Sequence, residues 1–79
     1  MAVTSTFQRK LAVRVFEKMV SEGLTSFDES RYTKILYTFL HQEEVVHEGM
    51  SYQWRMIKPL VKYRFDKLPK QNELTLATA

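Results

Sequence analysis

Apolar residues near the start of the chain recur every four positions, a spacing that predicts one face of an α-helix. Ser5 and Gln8 form a capping box in which each side chain can accept a hydrogen bond from the other residue's backbone amide. Gly23 predicts the end of the helix, because glycine readily adopts the left-handed conformation that closes one. We therefore expect a first helix from about Thr6 to Glu22. Its apolar face comprises Phe7, Leu11, Ala12, Val15, Phe16, Met19 and Val20.

A second apolar stripe predicts a helix in the middle of the chain. Ser26 and Glu29 can form another capping box at its start, where the acid also suits the positive end of the helix. Three glutamates follow the stripe and would crowd the negative end of a longer helix, so we expect the packed part to stop near His41. Residues 42–48 would then form a short turn or helix closed by Gly49. The stripe comprises Tyr32, Ile35, Leu36, Phe39 and Leu40.

The segment from Met50 to Leu68 allows two interpretations. Ser51 can cap a third helix over residues 52–67, which Pro59 would kink because proline lacks an amide and clashes with the carbonyl four residues earlier. Alternatively the helix starts at Pro59, and residues 50–57 are extended and pair with Val45 and Val46 in a hairpin. The spacing of the apolar residues favours the kinked helix.

Together these elements predict an all-α fold, a small three-helix bundle with a short extra turn or hairpin at 42–57 as a variation. The 79 residues suffice for one domain with one core. Only two glycines and two prolines are present, and this scarcity of turn residues favours a few helices over many short strands. We expect a single helical domain over 1–68 and a flexible polar tail over 69–79.

The third segment has two different faces on a helical wheel. One stripe has the spacing of a helix packed on a core: Trp54, Ile57, Val61, Phe65 and Leu68. The opposite strip would be left in water by a three-helix monomer: Tyr52, Met56, Pro59 and Tyr63. Basic residues flank that strip, with Arg55, Lys58 and Lys62 on one side and Arg64 and Lys67 on the other.

Charge is concentrated in the same part of the chain. Residues 50–79 hold six basic and two acidic residues, a net charge of +4, whereas residues 1–49 hold six basic and seven acidic residues, a net charge of −1. The whole chain carries +3, which suits an acidic partner without requiring one.

An apolar and aromatic strip with basic flanks is typical of a binding surface, because tyrosine and arginine are enriched among the anchors of protein interfaces. The simpler interpretation is that the tyrosines are ordinary half-buried side chains and the cations a solvated face. Candidate partner-binding residues are Tyr52, Arg55, Met56, Lys58, Lys62, Tyr63, Arg64 and Lys67.

Our first hypothesis is a non-enzymatic protein-interaction module: a small regulator, adaptor or assembly subunit that binds a protein partner or forms a homodimer through this strip. The alternative is nucleic-acid binding, with the same cations on phosphates and Tyr52 or Tyr63 stacking on bases. Attachment to an anionic membrane surface is weaker, since Trp54 is expected in the core.

No motif in the sequence supports catalysis. The chain has no cysteine, no glycine-rich phosphate loop and no nucleophile elbow, and a domain this small leaves little volume for an enclosed cavity. His41, Glu44, His47 and Glu48 form one cluster of potential metal ligands, but carboxylate-bridged metal sites need two Glu-x-x-His steps and this chain has one. We therefore predict no enzyme, no cofactor, no metal and no small-molecule substrate.

The start of the chain bears on localisation. It lacks the continuous apolar core of a secretory signal, and no apolar run approaches the roughly 18 residues that a membrane span needs. Arg9, Lys10 and Arg14 precede the first acid, Glu17, in an amphipathic stretch typical of a mitochondrial transit peptide. Removal of that stretch would discard the best-defined helix, so we expect a cytoplasmic protein, with the mitochondrial matrix as the alternative.

Overall fold

The computed structural model describes residues 5–68, and this part of the chain contains three α-helices and no strand. Helix α1 spans Thr6–Ser21, α2 spans Glu29–Gln42 and α3 spans His47–Asp66. The predicted all-α three-helix bundle is therefore confirmed. The tail predicted over 69–79 lies outside the described residues. No helix among residues 5–68 combines the length and the hydropathy needed to cross a bilayer.

Helix α1 begins and ends at the predicted signals. The Ser5 hydroxyl accepts from the Gln8 amide at 3.1 Å, and the Gln8 side-chain oxygen accepts from the Ser5 amide at 3.1 Å. Gly23 has a φ of 91°, and its amide donates to the carbonyl of Val20 while the Leu24 amide donates to that of Met19. This pair of bonds is a Schellman motif, which satisfies carbonyls that the helix end would otherwise leave unpaired.

The start of α2 differs from the prediction. Asp28, rather than Ser26, is the N-cap, and its carboxylate accepts from the Arg31 amide at 3.1 Å. The Phe27 ring, just before the cap, packs against Tyr32 in the second turn with 5.3 Å between ring centroids. This hydrophobic staple fixes how the chain enters the helix and so selects Asp28 over Ser26.

Helix α2 ends at Gln42, close to the predicted position. Glu44 then adopts a φ of 59°, and its amide donates to the carbonyl of His41 while the Val45 amide donates to that of Leu40. The motif is the one that closes α1, with a glutamate where α1 has a glycine.

Helix α3 starts five residues earlier than predicted. It begins at His47, so Ser51 is not its cap, Gly49 lies inside the helix, and neither the separate turn closed by Gly49 nor the hairpin exists. The earlier start brings Met50 into the core, where it is 4% exposed, and burial of that side chain outweighs an N-cap, Val46, that offers no side-chain hydrogen bond.

Helix α3 also continues through Pro59 rather than starting there. The exposed proline ring faces away from the core, where it displaces no packed neighbour. Because proline has no amide, the carbonyl of Arg55 lacks its usual partner within the helix. Arg55 is exposed as well, so this turn of α3 lies on the solvent side of the helix.

The core takes four apolar side chains from each helix. They are Leu11, Ala12, Val15 and Met19 from α1, Tyr32, Ile35, Leu36 and Leu40 from α2, and Met50, Ile57, Val61 and Phe65 from α3. All of them except Met50 belong to the predicted apolar stripes. Val20 was expected on the apolar face of α1, but it is 40% exposed.

Two sets of polar contacts fix how the helices pack. The buried Gln8 side chain donates to that of Gln53 at 3.0 Å, which joins α1 to α3. The Tyr32 hydroxyl donates to the Trp54 carbonyl at 2.6 Å, and the Trp54 indole donates to the Thr33 hydroxyl at 2.9 Å, which joins α2 to α3. Burial raises the pKa of the Tyr32 phenol well above its ordinary value, and nearby Tyr37 adds to the effect.

Candidate partner-binding groove

A groove of about 520 Å³ lies between α1 and the second half of α3, open to solvent rather than enclosed. The two helices run in the same direction beside it, since Gln8 meets Gln53 and further along Phe16 meets Phe65 edge-on with 4.9 Å between ring centroids. The apolar side chains that line it are Ala12, Val13, Phe16, Leu60 and Leu68. The sequence led us to expect little room for an enclosed cavity, and the groove is instead an open, elongated surface.

Four cations line the groove. Arg9 and Lys10 belong to α1, Arg64 belongs to α3, and Lys67 is the residue that directly follows α3. No acidic side chain is among the described residues that line it. Within residues 5–68, none of the four forms an ion pair with a carboxylate. The groove therefore carries a concentrated positive charge beside an apolar lining.

Three of the eight predicted site residues lie at this groove: Tyr63, Arg64 and Lys67. Tyr63 is 60% exposed, the largest exposed aromatic surface among the described residues. The Lys67 ammonium lies 5.1 Å from the centroid of its ring, within the range of a cation–π contact. The structure thus joins an aromatic anchor to cations from both helices.

Two other predicted residues, Lys58 and Lys62, lie on the opposite flank of α3, toward α2. The Lys58 ammonium forms an ion pair with Glu29 and lies 4.8 Å from the Trp54 ring centroid. The Lys62 ammonium lies 5.8 Å from the ring centroid of Phe27. Contacts with α2 and with the residues just before it therefore already engage both lysines.

The remaining predicted residues lie toward the start of α3. Tyr52 is 49% exposed, Arg55 is exposed and Met56 is half-buried. At 100° per residue, Tyr52, Met56 and Tyr63 fall within about 40° of one another around the helix axis. They form an exposed strip that runs along α3 and reaches the groove at Tyr63.

The contribution of α1 to this site was not predicted from the sequence. Phe16 was expected on the core face, and Arg9 and Lys10 were considered only as features of a transit peptide. Two signals pointed to these residues: α1 contains no acidic residue before Glu17, and Val13 falls outside the predicted apolar face. Neither signal shows that these residues lie beside α3, because that depends on how the helices pack.

The candidate metal cluster is only partly described. The side chain of His47 lies outside the described part of the structure. Among the side chains that are described, no group of three histidine, aspartate or glutamate residues is placed to hold a metal ion. Glu43, in the same turn, forms an ion pair of 3.7 Å with Arg14. The absence of a metal site stays a prediction.

A second, smaller crevice of about 240 Å³ lies between α1 and α2. It also has basic residues, Lys18, Arg31 and Lys34, but Glu22 lines it as well and forms an ion pair of 4.0 Å with Arg31. Its two lysines offer a matched control for charge changes at the groove.

The described residues form a small basic helical bundle with an open, positively charged groove between α1 and α3. No protein-family model matches the chain, and no curated protein or solved structure is significantly similar to it. The geometry of the groove is therefore the basis for a proposed function.

Proposed function

We propose that this chain is a non-enzymatic protein-interaction module, a small regulator, adaptor or assembly subunit. It binds its partner through the groove between α1 and α3 and through the strip of Tyr52, Met56 and Tyr63 beside it. The observation that supports this most directly is an apolar groove lined by four cations, with a largely exposed tyrosine at its edge.

The chemistry of this surface suits a protein partner. Apolar side chains release water when a partner covers them, at roughly 25 cal/mol per Å² of apolar area buried. Tyrosine and arginine are enriched among interface residues whose truncation costs most of the binding energy. Tyr63 and Arg64 occupy such positions at the edge of the apolar lining.

The charge distribution favours a different protein over a second copy. Two copies that met groove to groove would bring eight cations together, and juxtaposed like charges at an interface cost several kcal/mol. A symmetric dimer could still use the strip near Tyr52, where the described side chains carry fewer cations. The mass of the protein in solution separates these two versions.

The proposal is tested by crosslinking followed by binding measurements. A photo-reactive phenylalanine analogue at position 63 of the full chain should crosslink a partner in a lysate of the source organism, and that partner is then purified. Titration calorimetry should show about tenfold weaker binding for Tyr63→Ala, the loss typical of an interface anchor. Val46→Ala, which truncates a side chain 67% exposed on the α2–α3 connection, should change affinity less than about twofold.

Two results together would overturn the proposal. The first is equal affinity of the purified partner for the parent protein and Tyr63→Ala. The second is a monomeric mass for both proteins by light scattering, which also removes the dimer. Far-UV circular dichroism must show that Tyr63→Ala is folded, which we expect because the side chain is mostly outside the core.

Nucleic-acid binding is the alternative, and it is favoured by the four groove cations, which have no carboxylate partner within residues 5–68. Anisotropy of labelled single- and double-stranded oligonucleotides should then show affinity that falls steeply with salt, because bound phosphates release counterions. Arg64→Glu with Lys67→Glu should abolish that binding, whereas the matched Lys18→Glu with Lys34→Glu should largely retain it. Absence of binding at low salt leaves the protein partner as the explanation.

A further inference from the structure

The cations on the two sides of the groove indicate the chemistry of its partner. We propose that the groove between α1 and α3 binds an acidic amphipathic helix of a partner protein, laid along the two helices. This inference rests on the proposed function, since it specifies the partner of the same groove. The physical basis is the shape of the groove, its apolar lining and its charge.

The dimensions of the groove match a short helix. Its lining extends on α1 from Thr6 to Phe16, and on the other side from Leu60 in α3 to Leu68 just after the end of that helix. At 1.5 Å per residue these spans correspond to roughly 15 Å and 12 Å, or about two to three helical turns. A surface between two helices that run side by side is also where a third helix packs in a bundle.

Other shapes of peptide fit the groove less well. An extended strand is recognised mainly through main-chain hydrogen bonds to a sheet edge, and the described part of this chain has no strand. Proline-rich segments bind grooves lined by several aromatic rings, whereas the described residues that line this groove include two, Phe16 and Tyr63. A helix needs neither feature, because its own backbone satisfies its hydrogen bonds.

The apolar lining of the groove indicates the composition of one face of the partner helix. Val13 lines the groove and is half-buried without packing against the core cluster, so a partner can cover it at no cost to the fold. Phe16 and Leu60 are only partly buried and have further apolar surface to cover. A partner helix with apolar residues at i, i+3 or i+4 and i+7 would place them over this lining.

The groove cations indicate which charges the partner helix carries beside its apolar face. Arg9 and Lys10 line the groove from α1, and Arg64 and Lys67 line it from α3. A partner helix with Asp or Glu on both sides of its apolar stripe would therefore meet opposite charge on each side. Such exposed pairs contribute little affinity one by one, but they steer association and reject basic partners.

The probe for this inference is a display library of random 16-residue peptides, selected against the full chain. We expect enrichment of sequences with apolar residues at helical spacing flanked by Asp or Glu. Synthetic peptides from the selection should gain helical circular dichroism when they bind. Enrichment of basic, proline-rich or extended peptides, or no enrichment, would overturn the inference.

Charge variants test whether the selected peptides occupy the groove. Arg64→Glu with Lys67→Glu should weaken binding at least tenfold at low salt, and the difference should shrink as salt rises. Lys18→Glu with Lys34→Glu makes the same change of net charge at the α1–α2 crevice and should weaken binding only about twofold. Equal losses in both variants would mean that the peptides respond to net charge alone, and the inference would fail.

Two further variants test the lining and guard against unfolding. Val13→Gln introduces a better helix former but removes an apolar group from the groove, so it should weaken binding several-fold with little dependence on salt. Arg9→Glu with Lys10→Glu reverses the charge on the α1 side of the groove. It is used in place of Arg64→Glu with Lys67→Glu if thermal unfolding shows that the latter variant does not fold. Unchanged affinity in both of these variants would place the peptides elsewhere.

The outcomes distinguish this inference from the proposed function. If acidic helical peptides do not bind, but the purified crosslinked partner still loses affinity in Tyr63→Ala, the partner is a protein of another shape and only the inference fails. If neither the peptides nor a crosslinked partner depends on the groove, the proposed function fails as well.

Discussion

Helices α1 and α2 end with the same backbone motif but with different residues at its left-handed position. Gly23 occupies it in α1 with a φ of 91°, and Glu44 occupies it in α2 with a φ of 59°. A left-handed conformation costs an L-residue roughly 1–2 kcal/mol, whereas glycine adopts it freely. We therefore expect Glu44→Gly to stabilise the protein.

The magnitude follows from two opposing terms. Relief of the left-handed conformation gains roughly 1–2 kcal/mol, and the greater freedom of glycine in the unfolded chain takes back about 0.5–1 kcal/mol. The exposed Glu44 side chain forms no ion pair with another residue of the described part, so little is lost with it. The net expectation is a gain of about 0.5–1 kcal/mol in the free energy of unfolding.

Charge must be separated from backbone conformation in this experiment. Glu44 follows the negative end of α2, so removal of its charge alone should contribute a few tenths of a kcal/mol. Glu44→Ala removes the charge but keeps a Cβ atom, and the difference between the Gly and Ala variants isolates the conformational term. Gly23→Ala is the reciprocal test: a Cβ atom there meets nothing within 4 Å, so no clash adds to the same two terms, and the expected cost is about 0.5–1 kcal/mol.

Urea unfolding followed by far-UV circular dichroism measures these differences, and thermal unfolding provides a second readout. For a domain of this size, 1 kcal/mol corresponds to about 4–8 °C in Tm. The reasoning is refuted if Glu44→Gly is no more stable than Glu44→Ala, or if Gly23→Ala costs nothing.

Two further predictions concern α3 and its contacts. Tyr32→Phe removes the hydrogen bond to the Trp54 carbonyl and should cost about 1 kcal/mol near neutral pH. Because burial raises the pKa of Tyr32, its contribution to the free energy of unfolding is intact below about pH 10, the ordinary pKa of tyrosine, and is lost as the pH rises further. Above that pH the stability of the parent protein relative to Tyr32→Phe should fall by about 1.4 kcal/mol per pH unit. A constant difference in urea unfolding at all pH values would contradict this. Pro59→Ala supplies an amide for the Arg55 carbonyl. It should stabilise the protein by at least about 1 kcal/mol, part of the roughly 3 kcal/mol that separates proline from alanine in a helix interior. Unchanged urea unfolding would show that Pro59 does not destabilise α3.

The sequence by itself determined the features that depend on short-range contacts. The capping box of Ser5 and Gln8 and the left-handed Gly23 set the ends of α1, because their hydrogen bonds join residues only a few positions apart. The apolar stripes predicted the core because helical spacing fixes which side of a helix each residue occupies. For the same reason the exposure of Tyr52 and Tyr63 could be predicted from α3 alone.

Local signals were insufficient where two of them competed. Ser26 and Asp28 are both good N-caps, and the packing of Phe27 on Tyr32 decided between them. The start of α3 was decided by the burial of Met50, which no capping signal announces. In the first case packing chose between two equal caps, and in the second it outweighed a capping preference of about 1 kcal/mol.

Only the tertiary structure decided which cations and apolar groups share a site. It turned Lys58 toward Glu29 on α2, and it placed Arg64 beside a groove whose other wall carries Arg9. Helical spacing reports which side of its own helix a residue occupies, but not which helix lies next to that side. The neighbouring helix is set by the packing of α1 on α3. The hydrogen bond from Gln8 to Gln53 and the contact of Phe16 with Phe65 fix that packing, and both join residues far apart in the sequence.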